Sequence, residues 1–321
     1  MIDHHAPKDD SIQARAKRKL ERDLGATLLS ALHDPKTVEI MLNADGQLWL
    51  ERLGEPMQPL GTLSAAKASA ILETVAGYHG KVITRDAPLL EGELPLDGSR
   101  FAGQIPPVVP APTFAIRKRA IALFTLEDYV KAGILTEPQR ALLVEAVANH
   151  RNLLIVGGTG SGKTTLVNAL IEQMVVNDPT ERVILIEDTG EIQCAAPNHV
   201  QYHTSSAVDL RALLKTTLRM RPDRILVGEV RGPEALDLLM AWNTGHEGGA
   251  ATLHANNAKA GLERLALLIS MHPDAPKPIE PLIGEAVQMI IHIVRTAGGR
   301  RVQTLLEVGG YRHGQYITKS L

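Results

Sequence analysis

At 321 residues the chain exceeds the usual reach of one hydrophobic core, so two domains are expected, and its 44% hydrophobic content excludes wholesale disorder. Only 3% of residues are aromatic and the formal net charge is -2, which leaves neither a base-stacking surface nor a broad basic face, so no direct nucleic-acid binding is expected. A single cysteine, Cys194, excludes an intramolecular disulfide and a Cys-x-x-Cys zinc site and fits a reducing, cytoplasmic setting.

No apolar run approaches the roughly 20 residues that span a bilayer, and the first ten residues lack the apolar stretch of a signal peptide. Any membrane contact is therefore expected to be peripheral. Within residues 1–24, Ile12, Ala16, Leu20 and Leu24 recur at four-residue spacing among Arg15, Lys17, Arg18, Lys19 and Arg22, which predicts a basic amphipathic helix. Such a helix either packs its stripe onto its own domain or lies on an anionic membrane surface or a partner. Val38, Ile40 and Leu42 before Asp45-Gly46, with Leu48 and Leu50 after it, predict a hairpin. Residues 64–77 read as an Ala-rich helix, Glu93 to Ile105 as a second hairpin around Asp97-Gly98, and Thr113 to Ile116 as another strand. Residues 1–118 are thus expected to form a small α+β domain. Beyond Pro106, Pro107, Pro110 and Pro112, residues 119–135 read as a linker. Helical periodicity resumes where Thr136 and Gln139 stand as a capping box ahead of Ala141, Leu142, Val144 and Val147.

Residues 136–321 alternate short apolar runs with helical patterns, as an α/β domain requires. Leu153 to Val156, Val183 to Ile186, Ile225 to Val227 and Ala250 to Leu253 read as buried strands, and Thr164 to Val175 as a helix. Gly157-Gly158-Thr159-Gly160-Ser161-Gly162-Lys163-Thr164 fits the G-x-x-x-x-G-K-[ST] phosphate loop between a strand and a helix. Its backbone N–H groups cradle phosphate oxygens, Lys163 reaches the β- and γ-phosphates, and Thr164 offers a hydroxyl to Mg²⁺, with Thr165 next to it in the first helical turn. Without an Asn-Lys-x-Asp stretch to read guanine, the nucleotide is expected to be ATP.

The other strands end in polar groups, which in an open α/β sheet face the ligand crevice. Glu229, after Ile225-Leu226-Val227, is a candidate to orient the attacking water or hold Mg²⁺, or else a partner of Arg231. Glu187, Asp188 and Glu191 form a second acidic cluster, from which Glu187 is taken as catalytic and metal-binding, with Thr164 and Glu229 as its companions. His254, following Ala250-Ala251-Thr252-Leu253, is a candidate γ-phosphate sensor. The cation for the transition state is open among Arg100, Arg117, Lys118 and Arg119 in the first domain and Arg219, Arg221 and Arg231 in the second.

Three stretches together resemble the secretion-ATPase superfamily of type II and type IV secretion and type IV pili. Ile184 to Ile192 resembles its Asp box, Leu218 to Arg231 its Walker B segment, and Gly245 to Asn256 its His box. Gly232 after Arg231, the absence of a Cys-x-x-Cys pair, and the stretches Leu96 to Arg100 and Phe114 to Lys118 are most similar to the VirB-type traffic ATPases, in particular their conjugal-transfer members. The resemblance implies a RecA-like P-loop NTPase domain behind a smaller N-terminal domain. It further implies a homohexameric ring with nucleotide between the domains of each subunit, docked on inner-membrane secretion-channel proteins at the cytoplasmic side. By the same resemblance Arg100 and Arg117 would reach the phosphates. The implied function is ATP hydrolysis that drives channel or pilus assembly or substrate translocation. A nucleotide-gated scaffold ring with negligible turnover and a RecA-like DNA translocase are the competing readings.

Overall fold

The computed structural model describes residues 11–52, 55–118, 124–205, 207–296 and 298–321. The chain divides into Met1–Ile121 and Ala122–Leu321, each with its own core.

The first unit runs α1 (Ile12–His33), β1 (Thr37–Leu42), β2 (Gln47–Arg52), β3 (Gln58–Thr62), α2 (Ala65–Tyr78), β4 (Leu89–Glu93), β5 (Arg100–Gln104) and β6 (Thr113–Arg117). Its strands pair antiparallel in the order β3-β2-β1-β6-β5-β4. Alternation puts Ile40, Leu50, Phe101 and Ile116 on the face that buries α1 and α2, through Leu20, Leu24, Leu28, Ile71, Leu72 and Val75. Leu20 and Leu24 of the predicted stripe are therefore consumed by the domain core, and the helix is longer than its amphipathic signal, continuing past a break at Gly25 (φ 72°). Arg15, Lys17, Arg18 and Arg22 of α1 are exposed, together with the uncharged Gln13, Ala26, Thr27 and Ser30.

The other face of this sheet carries a row of charge. Register places Glu93 opposite Arg100, Arg100 opposite Arg117, Arg117 opposite Glu39, and Glu39 opposite Glu51. Two guanidinium-bearing residues directly opposite each other repel, and the acids on either side offset that repulsion. Burial pushes the Glu39 carboxyl up while Arg117 pulls it down.

The second unit runs α3 (Leu126–Lys131), α4 (Glu137–Ala148), β7 (Leu153–Val156), α5 (Lys163–Asn177), β8 (Val183–Glu187), β9 (His199–His203), α6 (Leu210–Thr217), β10 (Arg224–Val227), α7 (Glu234–Trp242), β11 (Ala250–Leu253), α8 (Ala258–Ser270), α9 (Glu280–Ala286), β12 (Met289–Thr296), β13 (Gly299–Arg312) and β14 (Gln315–Ser320). The sheet order is β14-β13-β12-β7-β11-β10-β8-β9, parallel from β12 to β9 and antiparallel at β13 and β14. Helices α3, α4 and α5 cover one face and α6 to α9 the other, so β7, β8, β10 and β11 are buried on both sides and read as continuous apolar runs. The capping box of α4 is present, with Thr136 N donating to Gln139 at 3.0 Å and Gln139 N to Thr136 at 3.3 Å.

Part of the expected linker belongs to this unit. Leu126 and Tyr129 of α3, and Leu135 after it, are buried in the core beneath α4 and α5, because a second capping box at Thr125 and Asp128 starts a short helix there. Residues 119–123, including Arg119, lie outside the described residues.

Candidate nucleotide site

The carboxyl ends of β7, β11, β10 and β8 bring Lys163, His254, Glu229 and the Glu187 to Glu191 segment to one edge of the sheet. Between β7 and α5 the loop needs its glycines for stated reasons. Gly160 and Gly162 hold φ of 69° and 98°, a region that L side chains disfavour. Gly157 passes so close to β12 that a Cβ would lie 2.2 Å from the Ile293 carbonyl oxygen. Helix α5 begins at Gly162 with no side-chain cap, so its first turn, at Lys163, Thr164 and Thr165, is the end of a helix that favours an anion held by the loop. Gly158, Thr159, Gly160, Ser161 and Gly162 complete the cradle, and the buried Ser161 Oγ has no protein hydrogen-bond partner.

Lys163 is buried. Its Nζ donates to the carbonyls of Gly157 and Gly158, both at 3.1 Å, and stands 3.4 Å from Nδ1 of His254. On its other side Nε2 of His254 lies 2.9 Å from Glu229 Oε1. A neutral ring protonated on Nε2 serves both neighbours, accepting from the ammonium and donating to the carboxylate. Burial, then the Lys163 charge, hold the His254 pKa below its ordinary value despite Glu229. Glu229 feels the opposite balance. Burial pulls its carboxyl up, but the hydrogen bond and charge of Arg231, with His254 and Lys163, outweigh it and keep the pKa low. Arg231 bonds Glu229 Oε2 at 2.5 Å and reaches Asp188 at 3.4 Å, and Asp188 in turn accepts from Thr204 at 3.0 Å. The result is a continuous polar chain from the loop lysine to Asp188.

The acidic cluster separates into distinct roles. Glu187 is buried and accepts from the N–H groups of Glu191 (3.0 Å) and Ile192 (2.9 Å) through Oε1 and from Gln201 Nε2 (2.7 Å) through Oε2. Its carboxylate thus holds the segment after β8 in place. Glu191 is the acid that reaches the loop, with Thr164 Oγ1 3.4 Å from its Oε2. The sequence offered both acids, and only the turn that Glu187 ties down decides which one points at Thr164.

The candidate arginines divide as well. Arg231 is within the site, as above, whereas Arg221 lines a polar cavity of about 550 Å³ with Glu181, Arg182 and Asp223 at the amino ends of β8 and β10. Arg219 precedes β10 at that same end. In the first unit Arg100 and Arg117 form the cross-strand pair described above, and Lys118 donates to the Asp34 carbonyl at 2.9 Å.

Residues 81–312 match the pattern of the type II/IV secretion system protein family. The chain belongs to that family. It is 48% identical over 306 residues to the probable conjugal transfer protein TrbB of Sinorhizobium fredii, covering 95% of this chain and 94% of that protein. The VirB11 ATPase of the Brucella suis type IV secretion system, solved with sulphate, superposes at a TM-score of 0.50 with 27% identity, covering 91% of this chain and 95% of that one. The pilus retraction motor PilT, solved with ADP, shares the fold at a TM-score of 0.63 with 19% identity, over 87% and 80% of the two chains. Membership of the secretion family carries the fold class with it, a RecA-like ATPase domain preceded by a smaller N-terminal domain, in a protein of type IV secretion and conjugal transfer. Among the described residues no helix is long and apolar enough to cross a membrane.

Proposed function

We propose that this chain is the ATP-hydrolysing motor of a conjugal-transfer or type IV secretion system, turning over MgATP at the 157–164 loop to power channel or pilus assembly, substrate translocation, or both. The observation that carries the proposal is the line Lys163, His254, Glu229, with contacts of 3.4 and 2.9 Å across three neighbouring strands. Lys163 neutralises the β- and γ-phosphates, exchanging its loop carbonyls for phosphate oxygens. Glu229, kept ionised by Arg231, accepts a hydrogen bond from the attacking water and aims its lone pair at the γ-phosphorus. His254, set between the two, forms a hydrogen bond that depends on the γ-phosphate. Thr164 and Glu191 suit Mg²⁺, a hard cation that takes few protein oxygens and completes its shell with phosphate and water. The bound metal would supply charge neutralisation at the phosphates.

By the family resemblance, Arg100 and Arg117 are the proposed source of further positive charge for the phosphates. The protein works as a homohexameric ring at the cytoplasmic side of the inner membrane, against secretion-channel proteins, a reading supported by family membership. Steady-state hydrolysis with Mg²⁺, run beside Glu229→Gln and with mass followed by light scattering, tests this. Turnover by a roughly hexameric species that is lost in Glu229→Gln is the expected result. A ring that binds ATP yet stays inactive with lipid and channel components would favour the scaffold reading.

A further inference from the structure

Glu229 and His254 meet beyond the ladder that joins their strands. Between β10 and β11 that ladder pairs Leu226 with Ala250 and Val227 with Ala251, and it ends there, two residues short of Glu229. On its other side β11 stays in register with β7 as far as Leu253, opposite Val156. His254 thus follows a strand that is held to its last residue, whereas Glu229 stands past the end of its own strand, and backbone pairing with β11 does not explain why its carboxylate sits where it does.

One residue of β11 spans the gap. Thr252 is buried, donates its hydroxyl to the Gly228 carbonyl at 2.6 Å, and accepts the Val230 N–H on its own carbonyl at 2.9 Å. The residues on both sides of Glu229 are therefore tied to a single residue, two places before His254. Toward β8, Gly228 N donates to the Ile186 carbonyl at 2.9 Å, and a Cβ at Gly228 would lie only 2.8 Å from Cγ of Glu187. The peptide that carries Glu229 is thus fixed by a hydroxyl from β11 and by close packing against the end of β8. A buried carbonyl that loses its donor is costly to leave unpaired, so without the hydroxyl this peptide is driven to turn toward another partner, and the Glu229 side chain turns with it.

We propose that Thr252 is the positioning residue of the Glu229–His254 pair, its hydroxyl and carbonyl holding residues 228–230 so that Glu229 meets His254 at 2.9 Å and presents its carboxylate to the attacking water. Thr252 acts through Glu229. The proposal rests on the reading of Glu229 as the group that orients that water.

Steady-state turnover and calorimetric MgATP affinity of the full-length protein, measured for wild type, Thr252→Val, Thr252→Ser and Glu229→Gln, test this. Thr252→Val keeps the shape of the side chain and removes only the hydroxyl. It is expected to lower kcat roughly tenfold or more, because small displacements of a reacting group cost rate steeply, and to leave the Kd for MgATP unchanged. Thr252→Ser restores the donor and is expected to recover most of that rate, which separates the hydroxyl from the packing of the methyl group. Thr252→Ala takes the place of Thr252→Val if the valine variant fails to fold. Wild-type kcat in Thr252→Val, a serine variant as slow as the valine one, or MgATP binding weakened in proportion to the rate overturns the positioning role. Those outcomes leave the reading of Glu229 intact while Glu229→Gln is inactive, whereas turnover that survives Glu229→Gln removes that reading itself.

Discussion

Glu187 and Glu191 are four residues apart and chemically alike, yet their surroundings ask opposite things of them. Glu187 accepts three hydrogen bonds in a buried place. Glu187→Gln, which turns an acceptor into a donor facing donors, should cost about 1–3 kcal/mol, seen as a lower midpoint in urea. Glu191→Gln should leave that midpoint in place and weaken the Mg²⁺ dependence of turnover roughly 10–100-fold, read from a metal titration of the rate. Loss of stability in Glu191→Gln with none in Glu187→Gln would reverse the two roles. His254 gives a pH signature. Its folded pKa lies below the ordinary value, so the unfolded chain binds the proton more readily. The stability His254 carries is then complete above roughly pH 6.5 and is lost as pH falls through the folded value. Thermal melts should show a fall in this window that His254→Asn removes.

At the scale of elements, backbone proximity is the constraint that sequence patterns carry only as a glycine. Gly157→Ala pushes a methyl against the Ile293 carbonyl, and Gly249→Ala against the Ile225 carbonyl and the Trp242 indole, each at 2.2 Å. Each should cost about 1–3 kcal/mol or more, and Gly157→Ala should also abolish ATP binding because the loop must leave β12, which nucleotide titration would reveal. The phosphate loop, the strands before it and at 183–187, 224–227 and 250–253, and the α4 capping box were legible because each rests on local chemistry: a run of β-formers, a fixed motif, a cap three residues from its partner. What stayed hidden depends on distant partners. Helix α3 was hidden inside an expected linker because six residues give no period. The β12–β13–β14 extension went unread, and with it the contact of Arg300 with the Gly160 carbonyl, since nothing near residue 300 announces that residue 160 is its neighbour. Among the acids, the contact of Glu191 with Thr164 depends on a turn held by Glu187 and Gln201, the latter outside the motif.

The whole molecule consists of two units with separate cores, so it should tolerate division. Residues 122–321 produced alone are expected to fold and bind MgATP and, on the proposal that Arg100 and Arg117 act on the phosphates, to hydrolyse it at least roughly tenfold more slowly. Calorimetry and a turnover assay on the same preparation check both halves of that statement, and full turnover by the fragment would remove the two arginines from the site. Nucleotide should raise the melting transition of the second unit selectively, by mass action on the state that binds it.

The placement of β11 between β7 and β10 also acts as a ruler. Adjacent strands sit about 4.8 Å apart, so the loop lysine and the Glu229 strand are held about 10 Å from each other. In that gap the His254 ring bridges Lys163 and Glu229 at 3.4 and 2.9 Å, and a rigid parallel sheet keeps its width constant. Chemistry can therefore be switched by what enters the gap or by charges brought to its rim, without any change in the distance across it.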